Sequence, residues 1–208
     1  MRWLPFNAKS APLALRDKQR LGRGCLILAI VLLGGCALTP TVPAPAARPA
    51  QVESAPFALN GRIAVKYNGS RQSAGLRWMH TAQSDEILLL APLGQTAARV
   101  YRSAQSATLD DGDKHYVADD IETLMQQALG WYLPVRGLHH WVLGLAATDS
   151  TAQIERNAHG QLAALRQDGW EIHYQRYSGD RPDSLPTRLQ LIREGLQVQL
   201  LIDEWELP

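Results

Sequence analysis

From Phe57 onward, apolar residues recur at every second position, the mark of strands with one buried face. Leu59, Gly61, Ile63, Val65 and Tyr67 alternate with more polar neighbours, and Asn68-Gly69 marks a hairpin turn into a strand carrying Leu76, Trp78 and His80. Glu86 to Ala91 reads as a further strand ended by Pro92, and Ala98–Arg102, Ala107–Leu109 and Lys114–Ala118 follow, the last pair joined at Asp111-Gly112. The period then changes to that of a helix. Ile121, Leu124, Met125, Ala128 and Leu129 keep i, i+3, i+4, i+7, i+8 spacing, with Asp119 or Asp120 to cap the start and Gly130 to end it. A second short helix begins at Leu133-Pro134, carries Val135, Leu138 and Trp141 or Val142, and stops at Gly144. Alternation resumes in Ala152–Arg156, Gln161–Arg166, Trp170–Tyr177, Arg188–Arg193 and Leu196–Trp205, separated by turn signals at Asn157–Gly160, Asp168-Gly169 and Glu194-Gly195.

Consecutive hairpins imply an antiparallel meander. Ten or eleven short strands with two inserted helices predict a mainly β fold, a strongly curved sheet or incomplete barrel with the helices across its opening. Alternation assigns Trp78, Leu88, Leu90, Val100, Ile172, Tyr174, Leu189, Leu191, Val198, Leu200 and Ile202 to the concave side. Arg77, Arg99, Glu171, His173, Gln190, Gln197 and Gln199 then face out. Such a sheet either fills itself with side chains or leaves a cavity for an apolar ligand. Close packing of interiors makes the filled core the default.

The N-terminal part obeys other rules. Arg16, Lys18, Arg20 and Arg23 precede the apolar run Cys25–Leu33, which is too short to span a bilayer. Small residues close it, the layout of a cleaved secretory signal over residues 1–35. The stretch before the run is long for such a signal, which leaves the translation start open between Met1 and a later residue. Residues 36–56 form a tether in which Pro40, Pro43, Pro45, Pro49 and Pro56 alternate with Ala, Thr and Val, a composition that favours an extended spacer. Residues 57–208 form the folded domain.

Cleavage alters the charge balance. The whole chain has 21 basic and 20 acidic residues. The leader holds six of the basic ones (Arg2, Lys9, Arg16, Lys18, Arg20, Arg23) and one acid, Asp17, leaving 15 basic, 19 acidic and a net charge of −4. A mildly acidic domain without a basic block argues against nucleic acid as partner and against electrostatic docking on anionic lipid. Cys25 leaves with the leader, so no disulfide is expected and stability must come from a core.

Catalytic patterns are lacking. No Gly-x-Ser-x-Gly elbow is present, which argues against a lipase of the common type. His139 and His140 are adjacent, about 100° apart on a helix, unlike metal-sharing pairs at i, i+4. Asp110-Asp111-Gly112-Asp113 lacks the far acid of a calcium loop and reads as a solvated turn. Neither a metal nor a cofactor is expected.

Leu33-Gly34-Gly35-Cys36 resembles the lipobox of bacterial lipoproteins. That resemblance implies cleavage before Cys36 and acylation of its thiol and new α-amine. Ala37, where an Asp would favour inner-membrane retention, points to the outer membrane, facing the periplasm. Behind the lipobox stand Phe57-x-Leu59-x-Gly61-Arg62-Ile63-Ala64-Val65, Trp78, Leu88-Leu89-Leu90 with Pro92-Leu93-Gly94, and Leu133-Pro134. Trp141-x-x-Gly144, Gly169-Trp170-x-Ile172-x-Tyr174, Leu185-Pro186 and Asp203-x-Trp205 complete the series. In this order they resemble the LolB family of outer-membrane lipoprotein receptors, over nearly the whole domain.

The resemblance implies an unclosed barrel with a helical lid over an apolar cavity, which reverses the filled-core default. It implies no enzyme, but a monomeric receptor that takes acylated lipoproteins from the periplasmic carrier LolA and inserts them into the outer membrane. The cavity would be lined by Trp78, Leu88, Leu90, Val100, Leu129, Leu138, Trp141, Ile172, Tyr174, Leu191 and Leu200. Between Pro92 and Gly94, Leu93 either folds back on the core or projects; the resemblance implies that it projects into the inner leaflet of the outer membrane, where the Cys36 lipid is also held. The competing class is a structural or assembly lipoprotein with a filled barrel and a protein-binding surface.

Overall fold

A computed structural model describes residues 47–49, 55–129 and 135–207, without the side chains of Leu129 and Arg136. The signal, the lipobox with Cys36, most of the tether, Gly130 and Leu133-Pro134 lie outside the described residues.

Eleven strands form one antiparallel sheet. They are β1 (Phe57–Tyr67), β2 (Ser70–His80), β3 (Asp85–Leu90), β4 (Thr96–Arg102), β5 (Ala107–Asp110) and β6 (His115–Ala118), then β7 (Gln153–Arg156), β8 (Leu162–Gln167), β9 (Trp170–Tyr177), β10 (Pro186–Arg193) and β11 (Leu196–Glu206). Their spatial order is β6-β5-β4-β3-β2-β1-β11-β10-β9-β8-β7. Each half is a plain meander, and the first strand pairs with the last. The edges β6 and β7 do not pair, so the barrel stays open. Two helices, α1 (Ile121–Leu129) and α2 (Val135–Val142), carry the chain from one edge to the other.

Turn chemistry sets the registers. Asn68 and Gly69 both have positive φ (48° and 79°), as a two-residue hairpin loop requires, and all eleven positions from Phe57↔His80 to Tyr67↔Ser70 then pair in step. Irregularities in the β1·β11, β3·β4, β9·β10 and β7·β8 ladders add local bend and twist to the sheet.

The helices begin and end as their sequences demand. The Asp120 carboxylate accepts from the Thr123 backbone N–H (2.8 Å), the cap that starts α1. At the end of α2, Gly144 takes φ 73°; its N–H donates to Trp141 O and that of Leu145 to His140 O, a Schellman closure. Ile121, Leu124 and Met125 of α1, and Val135, Leu138, Trp141 and Val142 of α2, are buried in the same apolar cluster as the concave side of the sheet.

The tether departs from the extended-spacer reading at Ala47–Pro49. Ala47 makes an isolated bridge with Ser184, and the Arg48 N–H donates to Asp183 O (2.8 Å). The Arg48 guanidinium donates to Leu143 O at the end of α2 (2.7 Å), satisfying a carbonyl the helix leaves open.

Candidate functional site

The interior divides into two halves of different character. Around β8–β10 it is filled. Trp141 packs against Trp170, ring centroids 6.3 Å apart, and its indole N–H donates to the buried Gln167 side chain (2.9 Å). Gln167 also accepts from Ala147 N and donates to Ala147 O and Ser150, so the segment after α2 is stitched to β8. Tyr174 donates to Trp141 O (3.0 Å), and burial pushes its phenol well above the ordinary range, which keeps it a donor. Ile172 is fully buried in this half.

Beside it, between β1–β4, β10, β11 and the helices, lies a cavity of about 540 Å³. Its wall is Ile63 and Val65 of β1, Leu76 and Trp78 of β2, Ile87 and Leu89 of β3, Val100 of β4, and Leu191, Val198 and Leu200 of β10 and β11. Met125 and Ala128 of α1 and Leu138 of α2 close it. Cross-strand partners explain the assembly: Trp78 sits opposite Ile87, Leu76 opposite Leu89, and Ile63 opposite Leu200. Exposed Ser70, Gln72 and Ala97 also border it, so it opens toward the end of the sheet that carries the β1–β2 and β3–β4 turns.

A polar cluster secures the other end. The buried Asp85 carboxylate accepts from the Trp78 indole (2.9 Å), from His80 Nδ1 (2.6 Å) and from the Arg102 guanidinium (2.6 Å). Burial alone would raise the Asp85 pKa; hydrogen bonds from His80 and Trp78 and the attraction of His80 and Arg102 outweigh it and hold the group below the ordinary value. Trp78 therefore shows its ring to the cavity while its one polar atom is satisfied elsewhere.

Of the residues expected to line a cavity, Trp78, Val100, Leu138, Leu191 and Leu200 border this one. The expectation is corrected at Leu88 and Leu90. Leu88 pairs with Arg77 and Arg99 on the outer face, and Ile87 and Leu89 take the inner one. Trp141, Ile172 and Tyr174 belong to the filled half, and the Leu129 side chain is outside the described residues. Ile63, Val65, Leu76, Ile87, Leu89 and Met125 were missed. Glu86 carried the signal for β3: counted from that charged, outward residue, alternation puts Ile87 and Leu89 inside.

The Pro92-Leu93-Gly94 turn stands clear of the domain. Gly94 has φ 85° and donates to Ala91 O (2.8 Å), and Leu93 is 86% exposed, a large aliphatic side chain held in solvent.

Residues 55–205 match the family described as outer membrane lipoprotein LolB. Among curated relatives, the outer-membrane lipoprotein LolB of Nitrosomonas europaea is 36% identical over 188 residues, 85% of this chain and 89% of the relative. That of Chromobacterium violaceum is 34% identical, over 88% of this chain and 99% of the relative. That of Azoarcus is 36% identical, over 93% and 99%.

Proposed function

Because the chain belongs to the LolB family of outer-membrane lipoproteins, we propose that it takes acylated proteins from the carrier LolA, shelters their acyl chains in the cavity under α1 and α2, and inserts them into the outer membrane. As a family member it is a lipoprotein-sorting receptor of the outer membrane rather than an enzyme. The cavity is the observation that carries the mechanism. A buried methylene gains about 0.8 kcal/mol, so the chains of a lipoprotein need an apolar path at every stage. Leu, Ile, Val, Met and Trp walls provide it without directional bonds, which suits cargo that shares only its lipid. Acylated Cys36 would keep the domain at the membrane, facing the periplasm. Neither a cofactor nor an energy source is required if affinity rises from carrier to receptor to bilayer.

A filled barrel used as an assembly scaffold would leave no such space. The test is displacement of an apolar fluorescent probe by acylated peptide. Leu138→Asp, in the cavity wall, should lose probe binding, whereas Gln190→Asp, on the outer face, should retain it. Equal binding by both variants, with folding intact, would overturn the cavity assignment.

A further inference from the structure

Two cations stand where a β-sheet does not favour them. Lys66 of β1 and Arg71 of β2 are direct cross-strand partners, both exposed, and like charges in that position repel. Among the described residues neither forms an ion pair, in contrast to Arg62, Arg99 and Arg166; the facing pair Arg176 and Arg188 has no carboxylate partner there either, but it lies at the opposite end of the sheet from Leu93. The last β2·β3 pair is Gly75↔Leu90. Arg71 lies four residues beyond Gly75, roughly 13 Å along the strand, and Leu93 lies three residues beyond Leu90. The cation pair and the bare leucine therefore share one end of the sheet. To one side the β5–β6 turn is net acidic, with Asp110, Asp111 and Asp113 against Lys114; to the other, the β10–β11 turn carries Glu194 beside Arg193 and adds no net charge.

We propose that Lys66 and Arg71 form a docking patch for anionic phospholipid headgroups that orients the domain so that Leu93 enters the bilayer. This rests on the reading of Leu93 as a membrane-entering residue. A headgroup phosphate between the two side chains supplies the counter-charge the sheet lacks. The acidic β5–β6 turn is repelled by the same surface, so the domain settles on its β1–β2 and β3–β4 turns and turns its cavity opening to the lipid. The net charge of the mature chain does not reveal this, because the field near a surface decays within about 10 Å at ordinary ionic strength and only the nearest charges count.

The experiment uses the lipid-anchored full chain with an environment-sensitive fluorophore on Leu93→Cys, reconstituted in vesicles of phosphatidylcholine alone or with about 30% phosphatidylglycerol. Each basic group at an anionic surface shifts such an equilibrium about 5-fold. The insertion equilibrium constant should therefore rise at least about 5-fold with phosphatidylglycerol, and the rise should vanish in Lys66→Gln/Arg71→Gln and in high salt. An equal rise in the double variant overturns the proposal. If instead the double variant inserts normally but accepts cargo from the carrier slowly, the cations face a protein and the proposal is also overturned. A label that stays in water on both vesicle types removes the Leu93 reading itself, a failure distinct from losing only the phosphatidylglycerol dependence.

Discussion

At Gly61 the backbones of β1 and β11 come so close that a Cβ would collide with the Leu201 carbonyl oxygen. The position falls at the register shift between Asn60 and Gly61, so the glycine permits a bend in the two central strands. Gly61→Ala should lower unfolding stability by about 1–3 kcal/mol, as overpacking does, visible as a lower urea midpoint at unchanged slope. A second residue-level contrast lies one position apart on β3. Leu89 faces the cavity opposite Leu76, whereas Leu88 lies half-buried on the outer face, paired with Arg77 on one side and Arg99 on the other. Leu89→Asp should abolish binding of an apolar probe, and Leu88→Asp should leave it within about 2-fold, since its charge stays near water and two guanidinium groups. Reversed effects would return the inner face to Leu88. The sequence was ambiguous here for a physical reason: Leu88-Leu89-Leu90 has no polar member, so its phase comes only from neighbours.

Strands β2, β3 and β4 meet at one carboxylate. Asp85 holds Trp78 and His80 of β2 and Arg102 of β4, and His80 stacks on Phe57 of β1 (4.9 Å) and on His139 of α2 (4.8 Å). Removing the charge from such a buried group leaves Arg102 without its counter-ion and costs about 3 kcal/mol. Because the folded pKa of Asp85 is depressed, its contribution is complete above the unfolded value near 3.9 and fades as pH falls through the lower folded one. Asp85→Asn should therefore be clearly less stable than wild type at pH 7, and the gap should close below about pH 4. Thermal unfolding at stepped pH reads this; a gap constant down to pH 2 would deny the coupling. No pattern in the sequence announced the cluster, because Trp78, His80, Asp85 and Arg102 come together only through the β2·β3·β4 registers. The elements themselves were legible, since the alternation of Phe57–Tyr67, the 3.6-residue spacing of Ile121–Leu129 and the glycines at Asn68-Gly69 and Gly144 are local signals.

For the whole molecule, the open architecture follows from the order of its parts, but the division of its interior does not. That β1 closes onto β11 while β6 and β7 remain apart depends on pairings between distant segments. Whether the concave side is filled depends on where Trp141 goes: it packs into the β8–β10 half, while in the β1–β4 half Trp78 lies in the wall and the space beside it stays open. The result is a rigid wall on one side of a cavity that opens toward the same end as Leu93. That placement gives the last expectation. A leucine entering hydrocarbon gains about 1.5–3 kcal/mol, enough to orient a domain that a lipid on Cys36 would tether and too little to anchor it alone. Leu93 is 86% exposed on a turn clear of the core, so Leu93→Glu removes no interior contact and should fold with unchanged thermal midpoint. It should accept lipoprotein from the carrier at the normal rate, because the cavity wall is intact. Delivery to vesicles should fall by roughly 10-fold or more, as a carboxylate at this point opposes entry into hydrocarbon while the gain of the leucine is lost. Wild-type delivery by that variant would reduce the Pro92-Leu93-Gly94 segment to a simple turn, and the cavity would then have to reach the bilayer by another edge.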